Sequence, residues 1–457
     1  MVKTKLLNLV FSQEKQYRRV TRTLREEVKN IFVEAVDLLA KLELVDTVRK
    51  LGLESYFEEE IKQSLDIIAD SVKNSNILNV EENLYVTALC FKLLRLHGYE
   101  VSQGVFNGFF DGSFNKSKLT DIKGLLELFE ASHLAYEGEA ILDEAKAFSS
   151  RILKKMNSST IESDLAKQVM HALELPSHWR VLWFDVKWHI NAYEDGQINR
   201  HLLTLAKVNF NMVQATLQKD LKEISRWDTR EVQELPECMK ICFQALHDIT
   251  NEMALEMQRE KGWDQVQPHL KKVWADFCKA MFVEAKWFNK GYTPSMQEYL
   301  SNAWVSSSGT VLSVHSFFSI MTGQVTEETS NFLEKSQDLV HNISLIIRLC
   351  NDLGTSVAEQ ERGDAASSVV CYMRVANASE EVARNHLKNI IKKTWKKING
   401  QCFSAKSPML EFFVNINTNM ARVVHYLYQY GDGFGVQDRQ ENKKQILTLL
   451  VEPFKLD

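Results

Sequence analysis

At 457 residues the chain is longer than one hydrophobic core usually serves, which predicts two domains. Its 45% apolar and 25% charged residues are those of an ordinary globular protein, and a formal charge of -5 excludes the basic excess of a nucleic-acid-binding surface. No apolar run approaches the ~20 residues needed to cross a bilayer, so no membrane segment is expected.

The opening stretch MVKTKLLNLVFSQEKQY has an apolar patch but no small-residue cleavage site, and it is not the Ser/Arg-rich, acid-poor leader of organelle import. A cytoplasmic protein is expected. Beyond it, apolar residues recur at steps of three and four almost throughout, and alternating strand-like runs are nearly absent. With only 6 prolines and 18 glycines to interrupt them, the predicted elements are antiparallel helices and the fold class is all-α. VEAVDLLAKLELVDTVRKLGL reads as one helix ending at Gly52. Breaks follow at KNSNILNVEEN and DGSFNKSKLTD, and Asp121 then stands as N-cap of the helix that opens DIKGLLELF. NSSTIESD is a further break.

HWRVLWFDVKWHINAYE spaces Trp179, Trp183, Phe184, Trp188 and Tyr193 as a helical stripe, which reads as packing between helices. His178 and His189 within it show no acidic partner at triad or ligand spacing, and neither is assigned chemistry. A domain boundary is placed at YEDGQINR, dividing residues 1–195 from 196–457. The 7 cysteines form no CxxC pair. Cys238 and Cys242 lie one helical turn apart and read as buried thiols on a packed face rather than as a ligand pair.

The segment DLVHNISLIIRLCNDLGTSVAEQER differs from the helices before it. Leu339, Val340, Ile343, Ile346, Ile347 and Cys350 mark a buried face, and Ser344, Arg348, Asn351, Thr355 and Glu359 run across it as a polar line. An amide, a hydroxyl and a carboxylate at four-residue steps are hard oxygen donors, suited to magnesium rather than to zinc or copper. Arg348, one turn earlier, is placed to reach oxygens of a diphosphate held by such an ion. Asn and Thr are poor interior helix residues, so their presence in an apolar helix favours a site over a solvated face.

The pattern Asn351-Asp352-Leu-x-Thr355-x-x-x-Glu359 resembles the second metal-binding motif of plant class I terpene synthases. HLLTLAKVNFNMVQATLQKDLKEISRW, LPECMKICFQALHDITNEMALEMQREKGW, VEAKWFNKGYTPSMQEYLSNAWVSSSG and RGDAASSVVCYM are also similar to that family, with wording near its (E,E)-α-farnesene and (E)-β-ocimene synthases. The resemblance implies two helical domains: an α-barrel over 1–195 without metal chemistry, and a catalytic α-bundle over 196–457. It implies a monomer that takes a prenyl diphosphate, farnesyl before geranyl, and releases diphosphate to give an acyclic hydrocarbon such as α-farnesene. Mg2+ is the implied cofactor, with Mn2+ as its alternative. Carried over by position, Asn351, Thr355 and Glu359 are the metal ligands, and Arg348 and Asn351 bind substrate. Ser306, Ser307 and Ser308 match a break in a pocket helix, for which mid-helix Gly309 gives a local reason. Asp432 and Phe434 match a closing loop.

Two parts of the family pattern are missing. The chain has no Asp-Asp pair anywhere, whereas the family's main metal motif is an aspartate pair followed by a further acid. Ser225-Arg226-Trp227 runs directly into Asp228-Thr229-Arg230, where relatives carry helices with an Arg-Asp-Arg and an aspartate-rich motif. Arg18-Arg19 also lacks the tryptophan that ends the family's N-terminal arm. The chain is therefore expected to ionise prenyl diphosphates weakly or not at all. The alternative reading is an inactive or truncated member that binds diphosphate or a partner without catalysis.

Overall fold

The computed structural model describes residues 19–75, 83–110, 121–155, 163–194, 198–224, 237–261, 266–320, 332, 335–363, 367–403, 408–431 and 439–454. Among the described residues every regular element is helical, as the three- and four-residue apolar steps require. No helix there is long and apolar enough to cross a membrane. Two compact units emerge, Met1–Leu221 with Lys443–Asp457, and Lys222–Asn442. The break at YEDGQINR precedes α10, and the division between units falls at Leu221/Lys222 rather than at 195/196.

The first unit contains α1 (residues 19–34), α2 (Leu38–Lys50), α3 (Glu58–Ser75), α4 (Leu84–Leu96), α5 (Asn107–Phe110), α6 (Ile122–Ser132), α7 (Ala140–Lys155), α8 (Ser163–Glu174), α9 (Leu182–Glu194) and α10 (Arg200–Ile224). The helix read through VEAVDLLAKLELVDTVRKLGL is broken in two. Asp37 stops it by turning its carboxylate onto the Ala40 amide at 2.8 Å, and Lys41 caps the Val36 carbonyl of the preceding turn at 2.8 Å. The stop at Gly52 is as expected, with φ of 68° and a Leu53 amide bonded back to the Val48 carbonyl. A Cβ there would also meet Val186 Cγ2 at 2.7 Å. Asp121 caps α6 through the Gly124 amide at 2.8 Å.

α4 and α6 form the centre of this unit. Leu89, Phe91, Leu93, Leu125 and Leu128 are fully buried, and the one lysine among them, Lys92, is neutralised by Asp46 at 2.9 Å and Glu127 at 2.6 Å. The aromatic stripe packs between helices: Trp183 stacks on Phe210 and Trp188 on His171. His189 corrects the sequence reading, because Asp185 one turn earlier is its acidic partner at 3.2 Å and also holds His171 at 2.7 Å. The i,i+4 spacing of Asp185 and His189 was the available signal. α19 (Arg439–Leu450) and the residues after it close the unit. Lys187 takes the Thr448 and Glu452 carbonyls, and Gln214 takes that of Leu449, which satisfies the helix C-terminus.

The second unit contains α11 (Glu237–Lys261), α12 (Val266–Asn289), α13 (Met296–Ser306), α14 (Gly309–Ile320), α15 (Gln337–Arg362), α16 (Ser368–Ala376), α17 (Glu380–Phe403) and α18 (Pro408–Leu427). α15 is central and packs against α13, α14, α16, α17 and α18. Leu339, Ile343, Ile346 and Leu349 are buried along it, as the apolar stripe predicts. The side chains of Cys238 and Cys242 lie outside the described residues, as does the Trp227/Asp228 junction.

Candidate metal and diphosphate site

α15 places Asn351, Thr355 and Glu359 on three successive turns. The Thr355 hydroxyl lies 2.8 Å from Glu359 Oε1 and 2.9 Å from the Asn351 carbonyl, so Thr355 and Glu359 are drawn together. Thr355 is buried, while Asn351 and Glu359 are half-buried. Ser344 leaves the polar line: it is fully buried, without a hydrogen-bond partner among the described residues, and backs onto α14.

Arg348 turns inward. Nη2 donates to Ser306 Oγ at 2.9 Å and approaches Glu284 Oε1 at 3.5 Å, Nε faces the Ala303 carbonyl at 3.4 Å, and Nη1 lies 3.8 Å from Asp352 Oδ1. Ser306 Oγ donates in turn to Glu284. Both oxygens of Asp352 are held, at 3.1 and 2.9 Å, by the Tyr299 hydroxyl, and one also takes the Ser368 amide at 3.0 Å. Burial alone would lower the Arg348 pKa, but the acidic groups around it, the Tyr299 phenol and the Asp352, Glu284 and Glu359 carboxyls, outweigh it and raise it. Burial and then the Asp352 charge hold the Tyr299 phenol well above its ordinary value, so it remains a donor. Glu284, Tyr299 and Asp352 were not identified from the sequence. Asp352 was legible as an i,i+4 partner of Arg348. Glu284 and Tyr299 lie on other helices, and spacing cannot show them.

The break at Ser306–Ser308 is present: α13 ends at Ser306 and α14 begins at Gly309. Its cause differs from the one expected. Ser308 takes the left-handed turn with φ of 64°, whereas Gly309 is required by close approach, since a Cβ there would lie 2.4 Å from Ser344 Oγ and 2.9 Å from Ser344 Cα. The hydroxyls of Ser307 and Ser308 fold back on the Trp304 and Ser307 carbonyls. Gly354 serves a similar contact, with Gly431 O and Tyr428 Cβ each 2.9 Å from where its Cβ would stand. Asp432 and Phe434, expected to close over the pocket, lie outside the described residues.

The amide, hydroxyl and carboxylate of Asn351, Thr355 and Glu359 fit one hard divalent ion with further positions left for other oxygens. They do not fit a cluster of ions. Among the described residues no group of three or more His, Cys, Asp or Glu side chains stands close enough to hold a metal.

Comparison with known proteins agrees with this organisation. Residues 217–397 match the terpene synthase family, metal binding domain, and residues 2–173 match the terpene synthase N-terminal domain. The chain is 56% identical to an alpha-farnesene synthase of Ricinus communis, over 97% of this chain and 92% of that protein. It is 48% identical to an (E,E)-alpha-farnesene synthase of Malus domestica, over 96% and 89%. The isoprene synthase of grey poplar (Populus x canescens) leaves, solved with three Mg2+ ions and dimethylallyl-S-thiolodiphosphate, superimposes with a TM-score of 0.86 at 35% identity, covering 96% of this chain and 97% of that one. The alignment with the Ricinus communis protein spans 522 positions against the 457 residues of this chain, so that relative carries at least 65 residues without a counterpart here. With both domains matched and relatives aligned over almost its whole length, the chain belongs to the terpene synthase family.

Proposed function

We propose that the protein carries out the terpene synthase reaction on farnesyl diphosphate, releasing diphosphate and a proton to give an acyclic hydrocarbon such as α-farnesene, with turnover strongly reduced in this 457-residue chain. The observation that carries the reading is the α15 face, where Thr355 and Glu359 oxygens lie 2.8 Å apart one turn beyond Asn351. These three would hold one Mg2+, or Mn2+ in its place, and the ion supplies Lewis-acid pull on the leaving diphosphate. Asn351 also faces the diphosphate, and Arg348 reaches it by exchanging Glu284 for phosphate oxygens. The α-farnesene product follows the names of the two farnesene synthase relatives, and farnesyl diphosphate is the prenyl diphosphate that yields it on loss of diphosphate and a proton. The reduced rate follows from the absent acids: one carboxylate on this face cannot organise the three ions recorded with grey poplar isoprene synthase.

The test is product analysis by gas chromatography–mass spectrometry, with the purified chain, Mg2+ and either farnesyl or geranyl diphosphate. Trace α-farnesene from farnesyl diphosphate is expected, abolished by chelator. Glu359→Gln is expected to lower Mg2+ affinity by more than the roughly 10–100-fold that loss of an outer partner brings. Turnover at the rate of an ordinary terpene synthase would contradict the reduced-rate reading. The at least 65 absent residues also favour a second reading, binding without catalysis. Calorimetric binding of pyrophosphate with Mg2+, but no product at any enzyme concentration, selects it. Sequencing cDNA across the codons for Trp227 and Asp228 reveals whether a longer transcript supplies the missing acids.

A further inference from the structure

The outward face of α12 exposes Ala275, Cys278, Phe282 and Ala285, spaced by three and four residues. Phe282 is 60% exposed, and Met281 and Phe288 beside it are 43% and 53% exposed. Isolated apolar residues on a surface are ordinary, but a stripe of alternating three- and four-residue steps is the seam of a helix–helix contact. Lys272, Lys279 and Lys286 follow one edge of it at every seventh position, and the Lys286 ammonium stands 4.3 Å from the Phe282 ring centroid. α11, which packs on α12, offers the complement. Its exposed Ile249 and Leu255 lie among exposed Asp248, Glu252 and Glu256.

We propose that a second copy of this chain covers the stripe, with α11 of each copy lying on α12 of the other about a two-fold axis to close a four-helix bundle. Acidic α11 then meets the lysine edge of α12 twice, once on each side of the axis, as a self-complementary interface requires. The extent is sufficient. The helices are 25 and 24 residues long. Each is therefore about 36 Å long and ~10 Å wide, and the pair presents on the order of 700 Å2, near the roughly 800 Å2 per partner of a stable complex. The chain also has at least 65 fewer residues than its Ricinus communis relative with which to cover apolar helix faces from within. This association replaces the monomer expected from the family resemblance and is independent of catalytic activity.

Sedimentation equilibrium of the full chain at micromolar concentration tests it, and a mass twice that of one chain is expected. Phe282→Glu halves that mass while the far-ultraviolet circular dichroism stays helical. A charge exchange keeps the question open should that variant fail to fold. Lys279→Glu/Lys286→Glu and Glu252→Lys/Glu256→Lys each weaken self-association, and a mixture of the two gains heterodimer over either alone. A monomer at all micromolar concentrations overturns the proposal, as does a dimer untouched by Phe282→Glu or charge variants that do not recover on mixing.

Discussion

Thr355 holds its hydroxyl 2.8 Å from the Glu359 carboxylate while only 4% exposed, a position where a hydroxyl is costly unless it is bonded. Thr355→Val keeps the shape and removes the oxygen, which separates ligation from packing. Mg2+ affinity, measured calorimetrically with pyrophosphate present, is expected to fall roughly tenfold with little change in unfolding temperature. An unaltered affinity takes Thr355 out of the ligand set. Tyr299 tests the support beneath the same helix. Its phenol faces both oxygens of Asp352, so Tyr299→Phe leaves a buried carboxylate with the Ser368 amide and the more distant Arg348 alone. Because the lost bond is to a charge, stability should fall by about 1.5–3 kcal/mol in urea unfolding. A change within a few tenths of a kcal/mol would mean that Asp352 is satisfied without the phenol.

α15 is positioned from its far side by a buried histidine. The Trp395 indole of α17 donates to Nε2 of His425 on α18 at 3.0 Å, which leaves the ring proton on Nδ1, facing Cys350 Sγ of α15 at 3.6 Å. Three helices thus meet at one neutral imidazole, one residue before Asn351. Burial pushes its pKa down from 6.5 to about 4. The native state therefore resists protonation that the unfolded chain accepts. The unfolded state binds more protons between about pH 6.5 and 4, so stability is full above that window and is lost as pH falls through it. A shift of this size corresponds to about 3 kcal/mol. His189, His315 and His341 are also lowered by burial and add in the same direction. His425→Gln keeps an acceptor for Trp395 and removes the titration. Urea midpoints measured across that window should fall with pH less steeply by about one proton, and an unchanged slope assigns the acid sensitivity to the other histidines.

At the scale of the whole molecule, what was legible in the sequence is what depends on one helix at a time. The all-α class followed from apolar spacing, and the placing of Asn351, Thr355 and Glu359 on successive turns of one helix followed from four-residue steps, whereas Ser344 is buried off the line and Arg348 turns inward. What needed three dimensions stayed hidden: Glu284 closing on Arg348, Tyr299 on Asp352, and Gly309 admitting Ser344. No Asp-Asp pair occurs in the chain, which the sequence shows by itself, and the Ricinus communis relative carries at least 65 residues without a counterpart in it. That relation defines a last experiment. Inserting the relative's unmatched residues between Trp227 and Asp228 tests whether a segment at that junction supplies the acidic partner that Asn351, Thr355 and Glu359 are expected to need. It tests as well whether that segment covers the α12 stripe, each Å2 of apolar surface removed from water contributing about 25 cal/mol. Magnesium-dependent α-farnesene formation should then rise by orders of magnitude, the unfolding temperature should increase, and self-association should weaken together with them. A gain in stability without a gain in turnover would place the catalytic defect elsewhere, in the Arg348–Glu284 contact that holds the guanidinium inward.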